Sequence, residues 1–188
     1  MELGQGRASL HIHSVSRLIP MAAVALVLAG CGPSGALKTA KTDEEASAVS
    51  PQYAAGLAAY VKGDYTTALR LWRPIAEQGV AEAQLSVADI YKNNLTPPEY
   101  VNAVKWYRKA AEQGNPKAQM MLGIMYARGM GVPENDVLAH MWLNLGTAGA
   151  VTENDRKVGL LNSMMTETKM TTGQIAEAQR LASEWKPK

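Results

Sequence analysis

The chain has 188 residues, 47% of them apolar and 19% charged, with a formal net charge of +2. That is enough apolar material for one packed domain with a small appendage, and it excludes a chain disordered throughout. The near-neutral balance excludes nucleic-acid binding by bulk charge, and a lone cysteine excludes both an intramolecular disulfide and a multi-thiolate metal centre.

Residues 18–30 are a short apolar run ending in small residues, with Arg7 and Arg17 ahead of it. A basic start, an apolar run and a small-residue end read as a secretory signal peptide over 1–30. The run is too short to span a bilayer comfortably, which takes roughly 20 residues. Leu28-Ala29-Gly30-Cys31 resembles the bacterial lipobox, in which the cysteine is lipidated and becomes the new N-terminus. Cys31 is the only cysteine and stands where that motif needs it. Gly32 follows it rather than Asp. In the Gram-negative lipoproteins this resembles, that implies the outer membrane, facing the periplasm. Each buried CH₂ of an acyl chain contributes about 0.8 kcal/mol, so the expected membrane contact is the anchor alone. Residues 31–50, rich in Gly, Ala, Ser and Thr with mixed charges, read as a flexible tether. About 20 such residues would span roughly 25 Å r.m.s..

From 51 onward the chain repeats itself. Ala68 meets Ala103, Ala76-Glu77-Gln78-Gly79 meets Ala111-Glu112-Gln113-Gly114, Ala83-Gln84 meets Ala118-Gln119, and Tyr91 meets Tyr126, each pair 35 residues apart. Ala139 and Trp142 answer Ala103 and Trp106 at a spacing of 36. A fixed period in this range marks a solenoid of helix pairs, and stretches rich in Ala, Leu, Met, Gln, Glu and Lys favour helix. The pattern predicts helices near 51–62, 64–78, 81–93, 98–113, 116–128, 134–148, 152–166 and 171–185. Asp64 is the expected N-cap after a stop at Gly63, Gly79 and Gly114 end helices, and Pro97, Pro98 and Pro116 stand at helix starts. Thr171-x-x-Gln174 fits a capping box. The expected fold class is all-α: a right-handed α-solenoid of about four antiparallel helix pairs over 51–187.

Residues 118–133, from Ala118-Gln119 through Leu122-Gly123 and Tyr126 to Gly129-Met130-Gly131-Val132-Pro133, followed by Ala139 and Trp142, resemble the Sel-one-like repeat, a relative of the tetratricopeptide repeat. The copy at 83–113 departs from the pattern: Ala88 replaces the glycine, and its loop lacks both glycines. The resemblance covers roughly 53–187 and implies a scaffold for protein partners.

A residue that recurs with the repeat is most simply explained by packing or turn geometry. Glu77 and Glu112 therefore read as helix-end architecture, and Trp72, Trp106 and Trp142 as core. His140 has no Cys or His neighbour at ligand spacing and no nucleophile motif beside it, so it reads as a partly exposed helix residue. Gly129-x-Gly131 lacks the preceding strand and the following Lys-Ser/Thr of a phosphate loop. No catalytic residue, cofactor or metal is expected. At about 100° per residue, Leu85, Asp89 and Lys92 lie opposite the face formed by Ala83, Val87 and Tyr91. With the matching Met120 and Ile124 they form a stripe of two possible meanings, a partner-binding groove or packing against neighbouring first helices. Eight of the ten methionines fall between 120 and 170, where methionine suits either an adaptable binding surface or an irregular core.

Three function classes follow. A non-enzymatic adaptor of the cell envelope, binding an envelope or periplasmic protein through its solenoid, agrees with every feature above. A cell-wall carbohydrate binder would need Tyr53, Tyr65 and Tyr100 outside the core. An envelope hydrolase would need a nucleophile or carboxylate pair that the sequence does not assemble.

Overall fold

The computed structural model describes residues 50–188, so the signal peptide, the lipidation site at Cys31 and the tether lie outside the described residues. Eight α-helices follow in order: α1 Pro51–Val61, α2 Tyr65–Glu77, α3 Ala81–Asp89, α4 Tyr100–Glu112, α5 Pro116–Ala127, α6 Asp136–Ala148, α7 Glu153–Glu167 and α8 Thr172–Glu184. Among the described residues there is no strand. The predicted helix boundaries agree to within about two residues, the ordinary uncertainty of a helix end, except that the third helix, expected to run to 93, is α-helical only to Asp89.

Local chemistry explains most of these ends. Ser50, Asp64, Asn115, Asn135 and Thr152 each accept a hydrogen bond from a first-turn amide. Such caps are typically worth about 1 kcal/mol. Thr171 and Gln174 form the expected capping box. Gly114, like its counterpart Gly79, closes its helix at positive φ (88°), a conformation that costs a residue bearing Cβ. Pro116 is at a helix start, but Pro97 and Pro98 lie in the loop ahead of α4 and not at its first turn. One feature has no signature in the sequence: beyond Asp89 the third helix widens into a π-helical turn over Ile90–Asn94.

The repeat register is a packing register. Ala68, Ala103 and Ala139 are fully buried, and one turn on so are Trp72, Tyr107 and Leu143. A small residue followed by a large one lets each second helix come close to its partner and then fill the space beyond. The paired Ala-Gln steps do a second job. The buried Gln84 donates Nε2 to the Ala76 carbonyl at 3.0 Å, and Gln119 does the same to Ala111 at 3.2 Å. Both acceptors lie in the last turn of a second helix, where carbonyls lack a partner four residues on; each also accepts from the amide of the closing glycine, Gly79 or Gly114. The expectation that Trp106 is core is corrected. It sits half-buried on the outer side of α4 with the Lys109 ammonium 4.4 Å from its ring centre, because the core position is Tyr107.

The chain is an all-α solenoid. Helices α1 to α6 pack as three successive pairs, each second helix also meeting the next first helix. The fourth pair departs from this. α8 packs on α6 rather than along α7, with Trp185 set edge-on to Trp142 at 6.0 Å between ring centres. The C-terminus continues past α4, where the Lys188 amide donates to the Glu112 carbonyl at 2.8 Å.

Candidate interaction surface

The predicted stripe on the first helices divides. Leu85 is half-buried and lines a shallow groove of about 320 Å³ with Glu82, Lys117, Met120, Val151 and Asp155. Met120 and Ile124 are not a free surface, which corrects the reading that they take a partner. They are 1% and 8% exposed and form a small apolar cluster with Leu143, roofed by Val158 of α7. Helix α7 covers the position that on α3 is left half-open at Leu85. Lys92 is half-buried, its ammonium 3.0 Å from the Asn93 side-chain oxygen.

Asp89 is corrected in the same way, since its carboxylate accepts a hydrogen bond from the buried Tyr107 hydroxyl rather than facing outward. Burial pushes the Asp89 carboxyl above its ordinary range, only partly offset by that hydrogen bond and by Lys117 and Lys92. The same burial and the adjacent carboxylate push the Tyr107 phenol up. A raised carboxyl pKa means that the folded protein holds the proton more tightly than the unfolded chain. The stability this group contributes is therefore complete below the ordinary aspartate range and is lost as pH rises through the raised value. Wild type is expected to lose stability relative to Asp89→Asn as pH rises from about 4 towards 7. Urea midpoints at a series of pH values measure this, and a constant gap across the window defeats it.

His140 is 1% exposed rather than partly exposed. Its Nε2 is 2.6 Å from Glu167 Oε1, and its Nδ1 is 3.0 Å from Asn144 Nδ2. Ser163 donates to Asn144 Oδ1 at 3.0 Å and does not reach the imidazole. The network therefore ties α7 to α6, and the serine is not set up as an activated nucleophile. Among the described residues no three His, Cys, Asp or Glu side chains are grouped to hold a metal, and no helix is long and apolar enough to cross a membrane. Tyr53, Tyr65 and Tyr100 are all half-buried against the main core. Tyr53 stacks on Trp72 at 5.4 Å and its hydroxyl is 2.9 Å from Ser86 Oγ. They do not present a row of rings to a sugar polymer.

Helix α7 carries an apolar surface that the sequence reading passed over. Its buried face is made of small residues: Gly159, Ser163 and Thr166. A Cβ on Gly159 would stand 2.1 Å from Thr147 Oγ1, so α7 lies very close to α6. The large residues face the other way: Leu160, Leu161, Met164 and Met165 are 51–63% exposed. The four fall on one side at helical spacing, about 160° from the centre of the buried face. The signal was available as an inverted amphipathic pattern, with small residues at 159, 163 and 166 and bulky ones between them.

Repeated helix pairs, each packed on the next through buried small and large residues, define a repeat scaffold, a class in which each unit leans on the next. The chain belongs to the Sel1 repeat family, whose model matches residues 52–80, 81–115 and 116–149. Sel1 repeats are protein–protein interaction scaffolds. Among solved structures, the chain is similar to a protective antigen present in uropathogenic Escherichia coli strains and displaying an SLR fold. The two share 27% identity with a TM-score of 0.61, over 76% of this chain and 30% of that one. The chain thus spans less than a third of that antigen's length. It is also similar to a Sel1 repeat protein from Oxalobacter formigenes, with 31% identity over 61% of this chain and 88% of that one and a TM-score of 0.49. No curated protein matches the chain.

Proposed function

We propose that the protein is a non-enzymatic adaptor of the bacterial cell envelope. It is held by lipid at Cys31 in the outer membrane, faces the periplasm, and binds a protein partner through the surface of its solenoid. The basic and apolar segment ending at Leu28-Ala29-Gly30-Cys31 supports the anchor. The observation that carries the binding role is the outer face of α7. Four large apolar side chains stand in solvent there, while small ones face the core. Folding alone favours the opposite arrangement, and adaptable methionines suit a surface that accepts another protein.

In-cell crosslinking of the full chain, with mass-spectrometric identification of the products, tests this. The double substitution Leu161→Asp/Met164→Asp buries two charges in the proposed contact and is expected to weaken capture at least tenfold, about 1.4 kcal/mol. Each exposed substitution should change folding stability by only about 0.5 kcal/mol. Unchanged crosslinks in a folded variant would remove α7 from the contact. Membrane sedimentation of Cys31→Ala would show that something other than an acyl chain holds the protein.

A further inference from the structure

We propose that the outer faces of α2 and α4 form a cationic track that takes an extended acidic segment of a protein partner. This rests on the adaptor reading above and names the chemistry of one contact. Arg70 and Arg73 on α2, and Lys105, Arg108 and Lys109 on α4, are all exposed. Arg70 and Lys105 are one repeat apart, as are Arg73 and Arg108. Each set lines a shallow trough, of about 460 Å³ on α2 and about 350 Å³ on α4.

None of these five cations is in an ion pair among the described residues, whereas four of the eight cations further along the chain are paired. Lys157 meets Glu153, Lys169 meets Glu134, Arg180 meets Glu177 and Glu184, and Lys188 meets Glu112. The carboxylates on the track itself are Glu77 and Glu112, one at the end of each trough, and Glu112 is already engaged by Lys188. Unpaired like charges at neighbouring positions repel one another.

The arginines are also oriented. Arg73 Nη2 donates to the Tyr91 hydroxyl, and Arg108 Nη2 donates to the Tyr126 hydroxyl at 2.6 Å. Each guanidinium carbon lies 6.0 Å from the centre of its tyrosine ring. One nitrogen is held while the remaining N–H groups have no partner among the described residues. A guanidinium placed in this way offers a carboxylate its planar fork, with part of the side-chain entropy already lost. Trp106, half-buried beneath Lys109, adds an apolar shelf beside the second trough.

The track stops after two repeats. The positions on α6 that correspond to Lys105, Arg108 and Lys109 are Met141, Asn144 and Leu145, and α8 packs on that helix. Helices α2 and α4 both pack on α3, and neighbouring packed helices stand on the order of 10 Å apart. An extended chain advances about 3.3 Å per residue. The best ligand is therefore a strand whose carboxylates recur every third residue, too short a footprint and too evenly spaced for a membrane surface.

Fluorescence anisotropy on the full chain tests this with three synthetic peptides of equal length: one with glutamates at every third position, one with the same glutamates contiguous, and one with lysines in their place. The spaced peptide is expected to bind most tightly, weaken with salt, and lose at least tenfold in Arg73→Gln/Arg108→Gln. Arg73→Lys/Arg108→Lys keeps the charge without the fork and should fall between. If the glutamine pair unfolds, Arg70→Gln/Lys105→Gln, whose side chains make no hydrogen bond within the described fold, takes its place and should lose severalfold. Equal affinity for spaced and contiguous peptides overturns the proposal, as does a folded glutamine variant that binds like wild type. Capture by phosphatidylglycerol vesicles with no peptide binding also overturns it in favour of a lipid surface. The α7 variants above leave this assay unchanged, so failure of the track and failure of the adaptor reading are separable.

Discussion

Trp72→Ala is expected to destabilise the protein by about 3–5 kcal/mol, the usual range for deleting a fully buried indole. Trp72 is 2% exposed and joins the first pair of helices. Its Nε1 donates to the Tyr53 carbonyl at 3.0 Å, and its ring lies against Tyr53 and Tyr60 at 5.4 and 5.7 Å. Gly56 faces the same ring so closely that a Cβ there would stand 2.2 Å from Nε1. α1 packs chiefly on α2, and among the described residues its side-chain hydrogen bonds beyond α2 run from Tyr53 to Ser86 and from Tyr60 to Asn94. The loss should therefore be uneven. Hydrogen exchange should rise towards unprotected rates across 51–61 while α5 and α6 keep most of their protection, as expected when coupling between neighbouring repeats is local. Trp72→Phe restores most of the apolar bulk and should recover more than half of the lost stability. If α1 stays protected in Trp72→Ala, some other contact holds the first repeat in place.

Features decided within a few residues were legible in the sequence. The Asp64 cap, the stops at Gly79 and Gly114 and the capping box at Thr171 and Gln174 are all short-range chemistry, and each stands as expected. The period of 35 was legible because the same buried alanine must recur wherever one helix leans on another. The glutamines of the Ala-Gln steps were seen to repeat, but their bond to the carbonyl of the preceding second helix spans eight residues and a turn, which spacing alone does not reveal.

The candidate surface was less legible because exposure at the end of a solenoid depends on what the terminal helices do. Met120 and Met164 are the same residue type, yet one is 1% and the other 63% exposed. The difference is that α7 folds over α5 while α8 leaves α7 for α6. His140 looked solitary because its partner Glu167 is 27 residues away, on a helix whose position no local pattern sets. Trp106 and Trp142 occupy matching repeat positions, but only α6 has α8 packed on it, so only Trp142 is buried.

Gly146→Val is expected to cost at least as much as the upper end of the ~1–3 kcal/mol usual for overpacking. A Cβ at Gly146 would stand 2.6 Å from both the Met120 nitrogen and the Pro116 oxygen, atoms of the α5 backbone that cannot rotate away. The reciprocal position behaves alike. A Cβ at Gly123 on α5 would stand 2.9 Å from the Ala139 oxygen and the Leu143 nitrogen of α6. The two helices thus exchange glycines, each letting the other's backbone into its groove, at the most extensive helix contact in the fold. Helix propensity alone predicts the opposite sign, since replacing glycine by alanine within a helix gains about 1 kcal/mol. Gly146→Ala therefore discriminates: close packing predicts a net loss and propensity a net gain. Gly173→Ala, where the nearest atom to a new Cβ is Thr171 Oγ1 at 4.0 Å, serves as the permissive control and should be neutral or slightly stabilising. Urea unfolding of the three variants at one pH decides it. A stabilised Gly146→Ala would mean that α5 and α6 stand further apart than this backbone contact requires, and the close approach on which the third repeat depends would have to be abandoned.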